Sequence, residues 1–372
     1  MKELPNLSAE RMFAMSTKNR DLRIDVFKGI GFLLVFAVHS VQFIEGLPGL
    51  LRFACLYGQT GVQLFLMISG LLLAKSYQYR GMKSHALQLK KKYFSLAPMF
   101  LCFAGVYFGV NLLFAGMNLA IPFGGTRSVA AWLINALLLH GFFPFANNNV
   151  APGGWYVGAY AAMLITVPAV FWLRERVKNK NGFFLKSAVV LSLAFSLTAF
   201  VLLKAFGIRY DNGSYVYFLF LNQYPAFLIG MQIGAGKEED TAQTGWRVLA
   251  FVGFSTLTCA CFAVGQSWCY SLVPMLAAMS FYELYYLTNR DCLRNLISKM
   301  KYLSWIGKNS YAAYLISFLF AWYVPIVIKR CCSINGMLLW IITWAVMLVC
   351  LPICSHSLTL TQSYIMKRIK QR

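Results

Sequence analysis

Acidic residues are scarce in this sequence, which has 12 Asp and Glu among 372 residues against 34 Lys and Arg. Charged residues make up only 12%, about half the share usual in soluble domains, whereas hydrophobic residues make up 59%. This composition excludes an ordinary soluble domain and predicts a membrane protein. The net charge of +22 lies in short basic clusters between long apolar runs, a pattern typical of topology signals and anionic-lipid contacts. We therefore expect membrane lipids, and no nucleic acid, among its partners.

Metal-binding and disulfide patterns are also missing. The ten cysteines show no zinc-like spacing, and several lie inside apolar stretches, so we interpret them mostly as small buried hydrophobic residues and expect no metal. The first 22 residues are polar and lack the apolar core of a cleavable signal. The first apolar run, from Val26, is therefore predicted to remain as a membrane anchor.

Ten apolar runs approach the roughly 20 residues that a helix needs to cross a bilayer. They cover residues 26–44, 57–77, 94–115, 154–173, 186–206, 215–235, 247–266, 269–288, 303–326 and 336–359. With both termini cytoplasmic, all but six of the 34 Lys and Arg fall on the cytoplasmic side, the exceptions being Arg52, Arg127, Lys204, Arg209, Lys329 and Arg330. This bias favours that orientation.

A shorter run, 128–145, is ambiguous. If it crossed the membrane, the basic segment after residue 173 would fall on the opposite side from Lys90–Lys92, so we predict a re-entrant or interfacial helix, with an eleventh crossing as the alternative. The fold class is an all-α polytopic bundle of about ten transmembrane helices. We expect a cytoplasmic N-terminal segment (1–24), a membrane domain (25–360) and a basic cytoplasmic tail (361–372).

The first apolar run carries a cation and an imidazole on one stripe. Lys28 and His39 are eleven residues apart, which in a helix is three turns plus about 20° and roughly 16 Å. This spacing predicts Lys28 at the cytoplasmic boundary and His39 near the midplane, where desolvation keeps the imidazole neutral, as a general base requires. A polar residue that joins two helices by a hydrogen bond is the alternative role for His39.

Other polar residues lie in or near the apolar runs. Gln63 and Ser69-Gly70 in the second run indicate helix packing, and Lys90–Lys92 at the start of the third indicate an orientation signal or a phosphate contact. The outside stretch 146–158 combines Asn147–Asn149 with Trp155 and Tyr156, as expected of a membrane interface or of a carbohydrate site.

Glu283 is the one carboxylate well inside a predicted crossing. An unpaired charge there is costly, so we expect it to face the bundle and to pair with a tyrosine hydroxyl or a cation.

Together these segments resemble the acyltransferase 3 family of integral membrane acyltransferases, over nearly the whole chain. The motifs that carry the resemblance are Lys28-x10-His39, Phe65-Leu-Met-Ile-Ser69-Gly70, Lys91-Lys92 with Pro98, Phe227-Leu-Ile-Gly230-Met231 and Ile306-Gly307-Lys-Asn-Ser310-Tyr311-Ala-Ala-Tyr314-Leu315. Three positions depart from the family pattern: Ser95 replaces a basic residue, Tyr160 a glutamate and Ser317 a histidine.

The resemblance implies transfer of an acyl group, most often acetyl, from acyl-coenzyme A to a hydroxyl of a surface polysaccharide or its lipid-linked precursor, in the bacterial inner membrane. In that interpretation His39 is the general base or a transient acyl carrier, with Lys28 as the second catalytic candidate. The coenzyme would be bound by Arg23, Lys28, Lys91 and Lys92, and the oxyanion or acceptor by Ser69, Gln63, Trp155, Tyr156 and Asn149.

Two other functional classes fit the same pattern. A transporter or flippase of lipid-linked glycan would also need a polar bundle interior and basic cytoplasmic loops, and a structural membrane scaffold is the third possibility.

Overall fold

The structure is a computed structural model that describes residues 21–77, 81–122, 128–143, 150–207, 215–236 and 243–370. Every regular element within these ranges is helical. Of the predicted acceptor residues, Asn149 lies outside the described ranges, as do Asn147 and Asn148.

The helices follow one another along the chain with short connections. They are α1 (Leu22–Ser40), α2 (Gly49–Leu56), α3 (Thr60–Ser76), α4 (Met82–Gly116), α5 (Val129–Ala136), α6 (Gly154–Arg176), α7 (Phe183–Phe206), α8 (Tyr215–Phe218), α9 (Phe220–Ala235), α10 (Thr244–Val264), α11 (Ser267–Tyr270), α12 (Val273–Leu287), α13 (Asp291–Lys299), α14 (Lys301–Lys308), α15 (Ser310–Phe318), α16 (Val324–Cys331) and α17 (Gly336–Lys370). A 3₁₀ turn (Tyr57–Gln59) joins α2 to α3, and a π-helical turn (Leu319–Tyr323) joins α15 to α16.

Seven helical segments of the described chain are long and apolar enough to cross a membrane. They are Gly49–Ser76, Met82–Gly116, Gly154–Arg176, Phe183–Phe206, Thr244–Val264, Ser310–Cys331 and Gly336–Tyr364. The other three predicted crossings correspond to α1, α9 and α12, of 19, 16 and 15 residues. The protein is therefore a multi-pass membrane protein whose described part is all-helical.

Several predicted runs are interrupted or shorter in the structure. The first run was expected to continue to residue 44, but α1 ends at Ser40, so His39 occupies its last turn. The run 215–235 is broken at Leu219, whose backbone is extended, and the run 303–326 is broken at Asn309. A hydropathy window averages over many residues and does not detect one residue whose backbone leaves the helix.

The ambiguous run 128–145 does not form a crossing within its described part, 128–143. Its helix, α5, has eight residues, about 12 Å at 1.5 Å per residue. Beyond it the chain turns at Leu138, which has a φ of 56°. His140 follows, buried against α6, with its Nε2 at 2.8 Å from the Gly154 carbonyl oxygen. A short helix rather than an eleventh crossing agrees with the prediction.

Two of the sequence motifs cross each other at the centre of the bundle. Gly70 on α3 lies against the Phe227 carbonyl of α9, and Gly230 on α9 lies against the Met67 carbonyl of α3, with no space for a Cβ at either glycine. Small residues allow helix backbones to approach this closely in a membrane. The crossing explains why these motifs contain glycine.

The late motif packs against the first helix. Gly307 in α14 lies against the backbone carbonyl of Asp25 in α1, again with no space for a Cβ. This contact brings α15, which follows α14, to the helix that carries Lys28 and His39.

Glu283, which was predicted to pair with a tyrosine hydroxyl or a cation, pairs with a cation. Arg247 of α10 donates a hydrogen bond to Glu283 Oε2 of α12 at 2.6 Å, with both side chains largely buried. The Arg247 guanidinium also lies 4.4 Å from the centre of the Tyr286 ring. The prediction that Glu283 faces the bundle and is paired is confirmed.

Candidate active site

Two cavities lie one after the other in the bundle, and Tyr314 of α15 lines both. The first, called here the lysine cavity, has a volume of about 240 Å³ and is lined by Lys28 and Lys92. The second, called here the histidine cavity, has a volume of about 260 Å³ and is lined by His39. Lys28 and His39 lie on the same stripe of α1, and each of them lines one of the two cavities.

The lysine cavity is lined by two lysines and by hydroxyl-bearing and aromatic side chains. Lys28 of α1 and Lys92 of α4 enter it from different helices. Seven hydroxyl-bearing side chains line it as well, among them Ser69, Tyr156 and Tyr160. The cavity therefore joins two cations to a group of neutral donors.

Lys91 lines a smaller neighbouring cavity of about 130 Å³. This space shares Lys92 and Ser76 with the lysine cavity, and it also contains His85, whose Nδ1 lies 2.9 Å from the Tyr77 hydroxyl. Lys92 thus lines both the lysine cavity and this smaller cavity, and Lys91 lines only the smaller one.

Hydrogen bonds fix the tautomer of His39 in the histidine cavity. The indole N–H of Trp322 donates to Gln42 Oε1 at 2.9 Å, and His39 Nδ1 lies 3.0 Å from the same oxygen. An indole nitrogen is only a donor and an amide oxygen only an acceptor, so His39 Nδ1 must donate its proton to Gln42. In this tautomer the lone pair of the neutral imidazole is on Nε2, and this nitrogen can accept a proton as a general base does.

Aromatic rings hold the imidazole in place. The His39 ring centre lies 4.4 Å from that of Phe318 and 5.7 Å from that of Trp322. Trp155, in the first turn of α6, and Tyr217 line the same cavity. Because Gln42 is exposed, the histidine cavity reaches the protein surface on its side.

Tyr314, which lines both cavities, lies between them and packs against Phe65 and Tyr156 of the lysine cavity. The Tyr314 ring centre lies 6.1 Å from that of Phe65 and 5.3 Å from that of Tyr156, and the Phe65 and Tyr156 centres are 6.0 Å apart. We call Phe65, Tyr156 and Tyr314 the aromatic partition. Trp155 and Tyr156 are neighbours in sequence, yet Trp155 lines the histidine cavity and Tyr156 the lysine cavity.

Arg23 lines neither the lysine cavity nor the histidine cavity. Its guanidinium binds the Asp21 carboxylate at 2.7 Å and also donates to Asn289. Burial raises the pKa of Asp21, but the hydrogen bonds and charge of Arg23 outweigh this and lower that pKa below its ordinary value. These contacts give Arg23 a structural role at the start of α1.

Gln63 is also outside both cavities. It is fully buried on α3 and donates to Gln223 Oε1 of α9 at 2.7 Å and to the Tyr217 hydroxyl at 3.3 Å. These contacts join α3 to α8 and α9, as a helix-packing role requires.

The three departures from the family pattern have different surroundings. Tyr160 lines the lysine cavity, whereas Ser317 is buried and donates to the Tyr314 carbonyl at 2.7 Å. Ser95 donates to the Lys92 carbonyl at 2.7 Å and lines neither of the two cavities. Of the three, only Tyr160 lines the lysine or the histidine cavity.

Gln42 and Trp322 were missed by the sequence analysis. Gln42 lies three residues after His39, in the turn that follows α1, and this short spacing was the available signal. Trp322 is 280 positions from Gln42, and nothing in the sequence pattern joins them.

Comparison with known families gives a match over almost the whole chain. Residues 21–356 match the acyltransferase 3 family, described as an acyltransferase domain. Comparisons with curated proteins and with solved structures found no match. The match includes every candidate residue of both cavities, and the chain belongs to the acyltransferase 3 family of membrane acyltransferases.

Proposed function

We propose that the protein transfers an acyl group, most often acetyl, from acyl-coenzyme A on the cytoplasmic side to a hydroxyl of a surface polysaccharide or of its lipid-linked precursor. The observation that carries this proposal is the succession of the two cavities, with cations in one, His39 in the other and the aromatic partition between them. A two-substrate reaction across a membrane needs such an arrangement, since donor and acceptor approach from opposite sides.

The proposed topology has ten crossings, both termini in the cytoplasm and a location in the bacterial inner membrane. The seven long apolar helices together with α1, α9 and α12 supply the ten. The excess of basic residues on one side supports this orientation. It assigns the lysine cavity to the cytoplasmic side and Gln42 to the outer side.

The donor would bind through its phosphates. Lys28 and Lys92, with Lys91 in the adjoining cavity, supply point charges for them. The acylated end would then extend along the stripe of α1 towards His39, roughly 16 Å from Lys28 along the helix. The aromatic partition lies on this path, so its side chains must move apart for the thioester to reach the imidazole.

At His39, Nε2 would take the proton of the acceptor hydroxyl while that oxygen attacks the thioester carbonyl. The C–S bond then breaks, and the coenzyme leaves as a thiolate that recovers the proton from the imidazolium. In the second version of the mechanism, Nε2 itself attacks the thioester carbonyl, the C–S bond breaks and the coenzyme leaves as a thiolate. The acceptor hydroxyl then attacks the acyl-imidazole, the C–N bond breaks to release the imidazole, and the hydroxyl proton goes to the thiolate. Both versions need the lone pair on Nε2. Trp155 is the aromatic surface on which a sugar ring would stack.

The test is a His39→Ala variant, compared with His356→Ala, which changes an exposed histidine of α17 outside both cavities. We expect His39→Ala to abolish acylation of the surface polysaccharide without changing its amount or chain length, and His356→Ala to have no effect. Mass spectrometry and electrophoresis of the polysaccharide measure both properties. Loss of the polysaccharide itself, with normal acylation of what remains, would contradict the proposal and favour transport.

A further inference from the structure

We propose that a groove between α6, α7 and α9 binds an anionic phospholipid of the cytoplasmic leaflet, with its headgroup at Lys186 and an acyl chain along the groove. The groove has a volume of about 720 Å³, larger than either the lysine or the histidine cavity. It shares no lining residue with those two cavities. The inference is therefore independent of acyl transfer and goes beyond the proposed function.

The walls of the groove are helix faces, and the residues that line them are spaced as on a helix face that packs against a partner. Residues of α6, α7 and α9 recur every three or four positions, as they do where one helix packs on another. Leu173 of α6, Val190 of α7 and Leu221 of α9 are among the lining residues. These side chains are exposed, so an apolar molecule from outside the three helices must cover them.

The length of the groove matches half a bilayer. It extends over twelve residues of α6 and the position after it, from Thr166 to Val177, and over twelve residues of α7, from Phe183 to Ala194, which is eleven helical steps in each case. At 1.5 Å per residue each wall is about 16 Å long, close to half of the roughly 30 Å hydrocarbon core. A single acyl chain of one leaflet has this reach.

Charge decides which kind of lipid fits. The only ionised side chain among the groove's lining residues is Lys186, and it lies at the end where α6 meets α7, together with Asn179. Arg176 ends α6 there, Lys178 follows in the connecting segment, and Lys180 pairs with Glu175. Basic pockets between transmembrane helices on the cytoplasmic side attract anionic headgroups.

The end of the groove away from Lys186 is suited to hydrocarbon. Two of the three hydroxyl groups in the lining are bonded to each other there, with Thr166 Oγ1 at 2.9 Å from the Tyr224 hydroxyl, and Thr166 also donates to the Met163 carbonyl at 2.9 Å. Since these polar groups have partners within the protein, an apolar chain can cover them without leaving a hydrogen bond unmade.

The experiment measures lipid retained by the purified full-length protein, extracted in mild detergent and analysed by native mass spectrometry. We expect wild type to retain one phosphatidylglycerol or cardiolipin. Lys186→Gln should lower the retained fraction about fivefold, as loss of one basic contact predicts, and Ala194→Trp should abolish retention by filling the groove.

Two matched controls lie on the same helix. Lys204→Gln removes a cation at the opposite end of α7, and Leu197→Trp enlarges an exposed residue outside the groove. Both should retain lipid as wild type does. Equal retention in Lys186→Gln, Ala194→Trp and wild type would overturn the proposal. So would retention of a zwitterionic phospholipid or a polyprenyl-phosphate carrier in place of the anionic phospholipid.

Discussion

The Tyr314 hydroxyl donates a hydrogen bond to the Gly153 carbonyl at 2.8 Å, which ties the aromatic partition to the first turn of α6. Gly153 has a φ of 71°, a conformation that side chains with a Cβ rarely adopt. A Cβ added there would lie 2.5 Å from Phe318 ring carbons and 2.7 Å from the Tyr314 hydroxyl. One glycine thus controls the positions of the partition and of the ring that contacts His39.

Gly153→Ala should therefore lower acyl transfer and stability together. Backbone strain alone costs about 1–2 kcal/mol, and displacement of Tyr314 and Phe318 adds to it. Gly182→Ala is the control, since Gly182 also has a positive φ of 67°, but its added Cβ would approach only Lys186, at 3.8 Å. It should show the strain without loss of activity. Thermal unfolding and polysaccharide acylation measure the two effects, and equal activity in both variants would contradict the prediction.

Gln42 should act as a positioning residue for His39. Gln42→Leu removes the acceptor that holds the proton on His39 Nδ1, so we expect acyl transfer to fall roughly 10–100-fold, part of the factor that a positioned base supplies. Gln42→Glu keeps an acceptor for both His39 and Trp322 and should restore most of the activity. Rates measured at saturating donor test this. If the leucine and glutamate variants were equally impaired, the tautomer argument would fail.

Lys28 and Lys92 should each contribute separately to the affinity for coenzyme A. Lys28→Ala and Lys92→Ala each remove a cation from the lysine cavity and should weaken coenzyme A binding about fivefold, less at high salt. Lys90→Ala is the matched control, because Lys90 lines neither the lysine cavity nor the neighbouring space of Lys91. Isothermal titration of the purified protein with coenzyme A measures the three affinities. A loss at Lys90 equal to that at Lys92 would indicate a general charge effect.

The α3–α9 crossing should be intolerant of any added methyl group. Gly230→Ala places a Cβ against the Met67 backbone carbonyl, and the helices must separate, so we expect a loss of about 3 kcal/mol. Gly105→Ala in α4 meets nothing within 4 Å and should cause no loss. Thermal unfolding in detergent compares them, and an unchanged melting temperature for Gly230→Ala would contradict the close approach.

The buried pair of α10 and α12 should show strong coupling. Arg247→Leu leaves the Glu283 carboxylate buried without the partner that binds it at 2.6 Å, which costs about 3–5 kcal/mol. The double variant Arg247→Leu, Glu283→Gln removes the stranded charge and should recover much of that loss. Thermal unfolding of both single variants and the double variant completes the cycle. Additive losses would show that the two side chains do not interact.

Hydropathy and charge predicted the helical class, most of the long helices and the short α5, because each of these depends on the composition of a local segment. The positions at which these helices begin, end or break were less predictable. Leu219 and Asn309 break two expected runs through backbone conformations that an average over many residues does not register.

The candidate site divides in the same way. The sequence by itself determined the family, the Lys28 and His39 stripe of α1, and the basic residues near Lys92, since helical spacing and charge are properties of a single segment. Only the tertiary structure decided that Gln42 and Trp322 fix the tautomer of His39, that Arg23 is bound by Asp21, and that Arg247 is the partner of Glu283. Hydrogen bonds and ion pairs depend on which helices pack together, and neighbours in the folded bundle are often hundreds of positions apart along the chain.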